Sequence, residues 1–171
     1  QLVLDTVWHE SVNRWTRDPG LKRELDAPVL AALGGAPAIV NNHLKRTLEE
    51  STDEDGRPLF SSRELELIAR LSLHLVTVDM AKIAHSSVSL AGFVDRPVHE
   101  VEAILAKLEQ RRILRRIQLP GKPGQDRYEI AHDMLGKAVV NWRPSYLEKV
   151  EISRLKQQAK QKVIKWSLSA V

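Results

Sequence analysis

Residues 113–130 decide the fold. They read Ile-Leu-Arg-Arg-Ile-Gln-Leu-Pro-Gly-Lys-Pro-Gly-Gln-Asp-Arg-Tyr-Glu-Ile, two strand-like runs separated by a loop of turn-forming residues. Partial alternation of apolar and polar side chains on both sides of a Pro- and Gly-rich loop is typical of a β-hairpin. Three segments with helical patterns precede it, and the order helix, helix, helix, hairpin is that of a winged helix-turn-helix. The sequence therefore predicts a winged helix.

The three helical segments follow a polar loop at residues 51–58. Ser61 and Glu64 have the spacing of a capping box, and apolar residues recur at helical intervals after them. The predicted segments are a long helix at 61–76, a short helix at 79–85, a connector at 86–96 and a third helix at about 97–112. The third helix is the one that would enter a DNA groove in a winged helix.

Helical patterns also flank this central part. Residues 2–16, 27–33 and 37–50 each predict a helix, with Gly34-Gly35 as a stop and Pro37 as a start. After Trp142, Pro144 can begin a last helix whose apolar spacing thins beyond Leu155. We expect a mainly α fold: a helical segment at 1–50, a winged helix with a small β-hairpin at 51–142, and an extended basic helix at 143–171.

Composition limits the function classes. The 171 residues include no cysteine, which predicts neither a disulfide framework nor a thiolate zinc site and suits the cytoplasm. The six histidines show no pair at the spacing that places two ligands on one helix face, so we expect no metal. The net charge is +4, but residues 143–171 carry seven basic and two acidic side chains. The rest of the chain is therefore close to neutral.

The chemistry-bearing motifs argue against two classes. The sequence contains no phosphate loop and no nucleophile elbow, so we expect no enzyme in this chain. The opening turn of the third helix carries Glu100 and Glu102, whose carboxylates would repel phosphates, and this argues against nucleic acid. Arg111, Arg112, Arg115 and Arg116 form a cluster that fits either a phosphate patch or a salt-bridged surface.

His132 is the candidate binding residue. It stands where the strand-like run Tyr128-Glu129-Ile130-Ala131 turns into a helix-like stretch, a junction at which a side chain can meet a ligand. A packed, hydrogen-bonded structural histidine is the alternative.

A family resemblance favours the ligand interpretation. Tyr-Glu-Ile-Ala-His-Asp-Met-Leu at 128–135, followed by Trp142-Arg143 and Tyr146, resembles the end of the winged-helix domain of STAND ATPases, above all the bacterial ones. Ala131-His132-Asp133 matches the Met-His-Asp motif of that domain except at its first position. Residues 1–8 and 33–40 look like the end of the helical lid that precedes the winged helix. The resemblance spans about residues 1–146.

The resemblance implies a regulatory fragment that senses ADP or ATP and relays a conformational change. His132 would contact the β-phosphate of ADP, and Asp133 would either orient the imidazole or cap the following helix. Nucleotide would bind only with an upstream ATPase core as partner. A downstream effector or membrane segment, which would tether the protein, and oligomerisation on activation are further expectations. Two other classes stay open: a DNA-binding winged-helix regulator with a dimerising tail, and a structural interaction module.

Overall fold

The computed structural model describes residues 2–18, 20, 27–77, 79–119 and 125–168, apart from the side chains of residues 2, 5 and 162–168. The fold is mainly helical with one small sheet, as predicted. The elements in chain order are α1 (Leu2–Arg17), α2 (Ala27–Ala32), α3 (Gly35–Lys45), α4 (Ser62–Leu75), β1 (His85–Ser86), α5 (Ser87–Val94), α6 (Val98–Gln110), β2 (Leu114–Ile117), β3 (Arg127–Ile130) and α7 (Asp133–Leu168). A π-helical turn, Arg46–Glu50, follows α3 directly.

The winged helix is built from α4 to β3. The strand order is β1-β3-β2, with both neighbours antiparallel. Leu114 pairs with Ile130 and Ile117 with Arg127, so the predicted hairpin is confirmed. Part of the predicted hairpin loop, residues 120–124, lies outside the described residues. The helix order and the hairpin together place α6 beside the sheet with one side uncovered.

The start of α4 shows why the sequence folds as expected there. The backbone N–H of Glu64 donates to Ser61 Oγ at 3.3 Å, and the backbone N–H of Ser61 donates to Glu64 Oε2 at 2.8 Å. This is the predicted capping box, which satisfies amide groups that the first helical turn leaves without partners.

The predicted helix at 79–85 and connector at 86–96 are wrong. An isolated bridge joins Val76 to Lys82, a two-residue strand follows, and α5 occupies most of the expected connector. Ser86 caps α5, because its Oγ accepts a hydrogen bond from the N–H of Ser89 at 3.1 Å. Asp95 ends the helix in the left-handed region with φ of 52°. Ser86, at the start of the expected connector, is the sequence signal for this helix.

The predicted break before Pro144 is also wrong, since α7 runs through it without interruption. Proline lacks the N–H that would bond to the carbonyl of Val140, and its ring crowds that carbonyl. Trp142 and Tyr146 on either side are both buried, and their rings stack at 5.1 Å. Burial of these two aromatic side chains stabilises the helix across the proline. Of the helices in the described part of the chain, none is long and apolar enough to cross a membrane.

One hydrophobic core extends across the expected domain boundaries. Leu44 and Leu48, from the predicted helical segment, belong to the same buried cluster as Leu90 and Leu105 of the winged helix and Trp142 of α7. A smaller cluster of Val7, Val29 and Ile39 joins α1, α2 and α3. The division into three domains stays a prediction, but the packing ties α3 to the winged helix.

Replacing Leu44, which is fully buried, tests this shared core. We expect Leu44→Ala to lower the free energy of unfolding by about 2–5 kcal/mol and to shift a single cooperative transition in urea, monitored by tryptophan fluorescence and by circular dichroism. Leu73→Ala on α4 is the matched control, because Leu73 is largely exposed and its truncation should cost little. A transition that splits in two would show that α3 unfolds independently of the winged helix.

Candidate functional site

His132 lies at the bend between β3 and α7, and its side chain is exposed. Its backbone carbonyl accepts hydrogen bonds from the N–H groups of Leu135 and Gly136, at 2.9 and 3.3 Å. The residue therefore stabilises the first turn of α7 through its backbone and leaves the imidazole at the surface. The alternative of a packed histidine does not hold.

Asp133, the first residue of α7, has a different partner from those expected. Its Oδ1 lies 2.8 Å from Lys82 Nζ, and that hydrogen bond holds the pKa of the carboxyl group below its ordinary value. A carboxylate in the first turn of a helix also faces the positive end of the helix dipole. Asp133 therefore lies at the start of α7, and its carboxylate contacts Lys82 rather than the imidazole of His132.

Lys82 belongs to a larger group of charges at this junction. Its Nζ lies 4.0 Å from Oε1 of Glu129, a carboxylate whose side chain is only 12% exposed. Arg115 Nε donates to the same oxygen at 2.6 Å. Two cations thus compensate one nearly buried carboxylate, whose charge would otherwise make its burial unfavourable. The sequence reasoning missed this group because its members come from four separate segments.

Of the four arginines in the cluster at 111–116, two have acidic partners and two have none among the described residues. Arg115 binds Glu129, and Arg116 Nη2 donates to Glu109 Oε2 at 2.8 Å. Arg111 and Arg112 are exposed and have no ion-pair partner among the described residues. Arg111 borders the acidic loop that includes Asp53 and Glu54. Of the four, Arg112 is therefore the cation most available to a phosphate.

The third predicted helix, α6, has two clearly different sides. The buried side consists of Val101, Ile104, Leu105 and Leu108. The opposite side, which we call the outer face of α6, consists of His99, Ala103, Ala106 and Gln110, and all four are exposed. The centre of this face carries no acidic side chain. It is formed by Ala103 and Ala106, whose side chains are single methyl groups.

The carboxylates near the start of α6 lie at the edges of this face and have partners. Glu100 lies 4.0 Å from a guanidinium nitrogen of Arg63, and Glu102 accepts a hydrogen bond from Ser87 Oγ at 2.9 Å. Arg96, just before the helix, lines a groove of about 340 Å³ between α4 and α6. The electrostatic objection to nucleic acid is weaker in the structure than in the sequence, because these carboxylates do not occupy the centre of the outer face.

A second polar group surrounds Phe93 on α5. The ring of His74 stacks on Phe93 with 4.5 Å between centroids, and the ring of His85 meets its edge at 5.1 Å. Burial lowers the pKa of His74, and the neighbouring His85 lowers it further. Two imidazoles do not make a metal site, and no group of three metal-ligating side chains occurs in the described part of the chain.

Comparison with known proteins gives structural likeness only. No family model matches the chain, and no curated protein matches it. A possible transcriptional regulator from Methanosarcina mazei is similar over 71% of this chain and 87% of its own, with 18% identity and a TM-score of 0.35. Two variants of ZitR from Lactococcus lactis are similar over 75% and 86% of this chain and 88% and 94% of theirs, with 14% and 16% identity and TM-scores of 0.37.

The resemblance to STAND ATPases is not upheld. No family model and no curated protein supports it, and none of the three similar structures is titled as such an ATPase. The physical reason lies in the residues that carried it: Tyr128, Leu135, Trp142 and Tyr146 are all buried in the core. A strand that turns into a helix requires apolar side chains at such positions in any protein. The pattern is therefore explained by the packing of the hydrophobic core and does not indicate membership of that family.

Expectations that rested on this resemblance change with it. The expected upstream ATPase core has no support, since no family model or curated protein matches the chain. The exclusion of nucleic acid is corrected as well, because Glu100 and Glu102 lie at the edges of the outer face of α6 and have partners there; one of the similar structures is titled a possible transcriptional regulator. A nucleotide-sensing function has no support, and the contact of His132 and Asp133 with ADP stays an untested prediction.

The lowered pKa of His74 predicts how stability depends on pH. Its ordinary value of 6.5 applies to the unfolded chain, which therefore takes up a proton at a higher pH than the folded chain does. The contribution of neutral His74 is complete above about pH 6.5 and is lost as the pH falls toward the lowered value. His43, whose pKa burial lowers first and Arg46 second, acts in the same direction.

Urea midpoints between about pH 7.5 and 5.5 measure this dependence. We expect the midpoint to fall with pH in the unaltered chain and to fall less steeply in His74→Gln. Leu73→Gln is the control, because it alters the adjacent exposed residue without removing a titrating group. An unchanged slope in His74→Gln would contradict the assignment.

Proposed function

We propose that this chain is a winged-helix module that binds duplex DNA through the outer face of α6, as part of a transcription regulator. The observation that carries the proposal is the outer face itself, which is exposed and has its nearby carboxylates at the edges. The similar structures, at TM-scores of 0.35 to 0.37, do not support the proposal. The geometry of α6 supports it.

The dimensions of α6 suit a major groove. Thirteen residues give a helix of about 20 Å, and a B-form major groove about 12 Å wide admits one. Ala103 and Ala106 allow the helix backbone to approach the base edges closely. His99 and Gln110, at the two ends of the same face, supply hydrogen-bonding groups, and glutamine can pair with the N6 and N7 atoms of adenine.

Phosphate contacts would come from cations on both sides of this face. Arg96 lies before α6 and Arg112 after it, and Arg127 is exposed on β3. None of these three has an ion-pair partner within the described residues. Charges interact over about 10 Å at moderate salt, so these local cations affect binding more than the near-neutral total of residues 1–142 does.

Removal of Arg112 tests the phosphate contact. Arg112→Ala should weaken binding to a mixed-sequence duplex and reduce the slope of log K against log salt by about 1, because one fewer counterion is released. Fluorescence anisotropy at several salt concentrations measures both quantities. Arg17→Ala is the matched control, since Arg17 is an exposed arginine at the end of α1, which shows no substantial contact with α6.

Two results would overturn the proposal. One is a chain that shows no salt-dependent binding to duplex DNA at low ionic strength. The other is equal loss of affinity in Arg112→Ala and Arg17→Ala, which would mean that only total charge matters. Either result would favour a winged helix used as a protein-interaction module.

A further inference from the structure

The second half of α7 leaves the core while it is still helical. Residues 151–161 are all exposed, although the helix continues to Leu168. At a rise of about 1.5 Å per residue, the part from 151 onward is roughly 27 Å long. A helix of this length is marginal in water unless one of its sides packs against something.

One side of α7 faces the winged helix. Tyr146 donates from its hydroxyl to the carbonyl of Ser62 at 3.2 Å, and Lys149 Nζ donates to Glu49 at 2.8 Å. Farther along, Arg154 Nη2 lies 3.0 Å from Glu66 Oε2. These three residues define the inner side of the helix.

The opposite side carries an apolar stripe. At about 100° per residue, Leu155 lies half a turn around the helix from Tyr146, and Ile152 and Ala159 lie close to the same line. Ile152 is 43% exposed and Leu155 is 56% exposed. We call Ile152, Leu155 and Ala159 the outer stripe of α7. Its spacings of three and four residues are those of positions a, d and a in a coiled coil.

The charged residues beside the stripe favour a parallel pair of α7 helices over other arrangements. In this frame Glu151 occupies position g and Lys156 position e, and both are exposed with no ion-pair partner in the part of the chain that the structure describes. In a parallel pair, position g of one helix faces the next position e of the other. Two identical helices would therefore form two Glu151–Lys156 contacts related by the two-fold axis. Isoleucine at a with leucine at d also favours a parallel two-stranded arrangement.

We infer that α7 pairs with α7 of a second copy of this chain as a short parallel coiled coil, with the outer stripe at the seam. Within one chain the winged helix contacts the inner side of α7, opposite the seam, which leaves the outer stripe accessible to a second copy. This pairing is argued from α7 alone and does not require the proposed function. Its consequence for that function is a two-fold arrangement of two α6 helices, which matches the two half-sites that dimeric regulators read.

Sedimentation equilibrium on the whole chain, without DNA, tests the pairing. The seam is shorter than the three to four heptads of a strong coiled coil, so association should be seen at high concentration, roughly 100 µM. We expect the mass to rise from 19.3 kDa toward twice that value, and Leu155→Lys to abolish the rise. Leu147→Lys is the matched control, because Leu147 is an exposed leucine of α7 about 100° away from the seam.

Two further variants test orientation. Glu151→Lys and Lys156→Glu should each weaken association, and the double variant should restore it. The chain has no cysteine, so Ala159→Cys introduces a single thiol, which a parallel seam places opposite its counterpart and lets oxidation cross-link. Leu147→Cys should not cross-link.

A chain that stays at 19.3 kDa at all concentrations would overturn the inference. So would equal effects of Leu155→Lys and Leu147→Lys, or a double charge variant that fails to recover. The two proposals fail separately: dimerisation without DNA binding removes only the proposed function, and DNA binding by a monomer removes only the pairing.

Discussion

Glu49 holds together the parts of the chain that the sequence treats as separate. One oxygen of its carboxylate accepts a hydrogen bond from Trp142 Nε1 at 2.9 Å, and the other accepts one from Lys149 Nζ at 2.8 Å. Because Trp142 is buried, its N–H needs a partner inside the structure. The π-helical turn supplies that partner and so fixes α3 against α7. Together with the shared hydrophobic core, this contact positions α7 against α3.

Two consequences concern α7. Docking of Trp142 and Tyr146 on the same surface stabilises the helix on both sides of Pro144, where local preference would end it. The same docking fixes the rotation of α7 about its axis, which directs Ile152 and Leu155 away from the core. An exposed apolar stripe is thus produced by the packing of the preceding turns. The composition of the stripe alone would not have indicated which way it faces.

The sequence predicts those elements whose signals are local. The capping box of α4, the strands around the hairpin loop and the periodicity of α6 lie within short windows, and all three were found. The two-residue β1 is too short to have a pattern, and α5 is eight residues long and apolar on most of its surface, so neither showed helical or alternating periodicity. Pro144 locally disfavours the interior of a helix, as expected, but tertiary packing overrides this preference. The burial of Glu129 could not be predicted, because the two cations that compensate its charge come from other segments of the chain.

The same limit applies to the candidate site: spacing along the chain could be predicted, but contacts between distant residues could not. Which residues form the outer face of α6 could be predicted from spacing, but whether Glu100 and Glu102 repel a phosphate depends on Arg63 and Ser87, which approach only in the fold. The resemblance around His132 misled for a related reason, since most of its positions are apolar residues that the core requires. In both cases the deciding information is the partner of a side chain, and that partner is distant in the chain.

On the two proposals, the outer face of α6 and the outer stripe of α7 would support each other energetically. A single helix with a few flanking arginines makes few phosphate contacts, and such binding falls steeply with salt. Two helices held on one two-fold axis make the second contact intramolecular, with an effective concentration that can reach the millimolar range. By linkage, DNA that binds both copies would also strengthen their pairing. A weak seam would therefore be sufficient, and it would make binding depend on the spacing of the two half-sites.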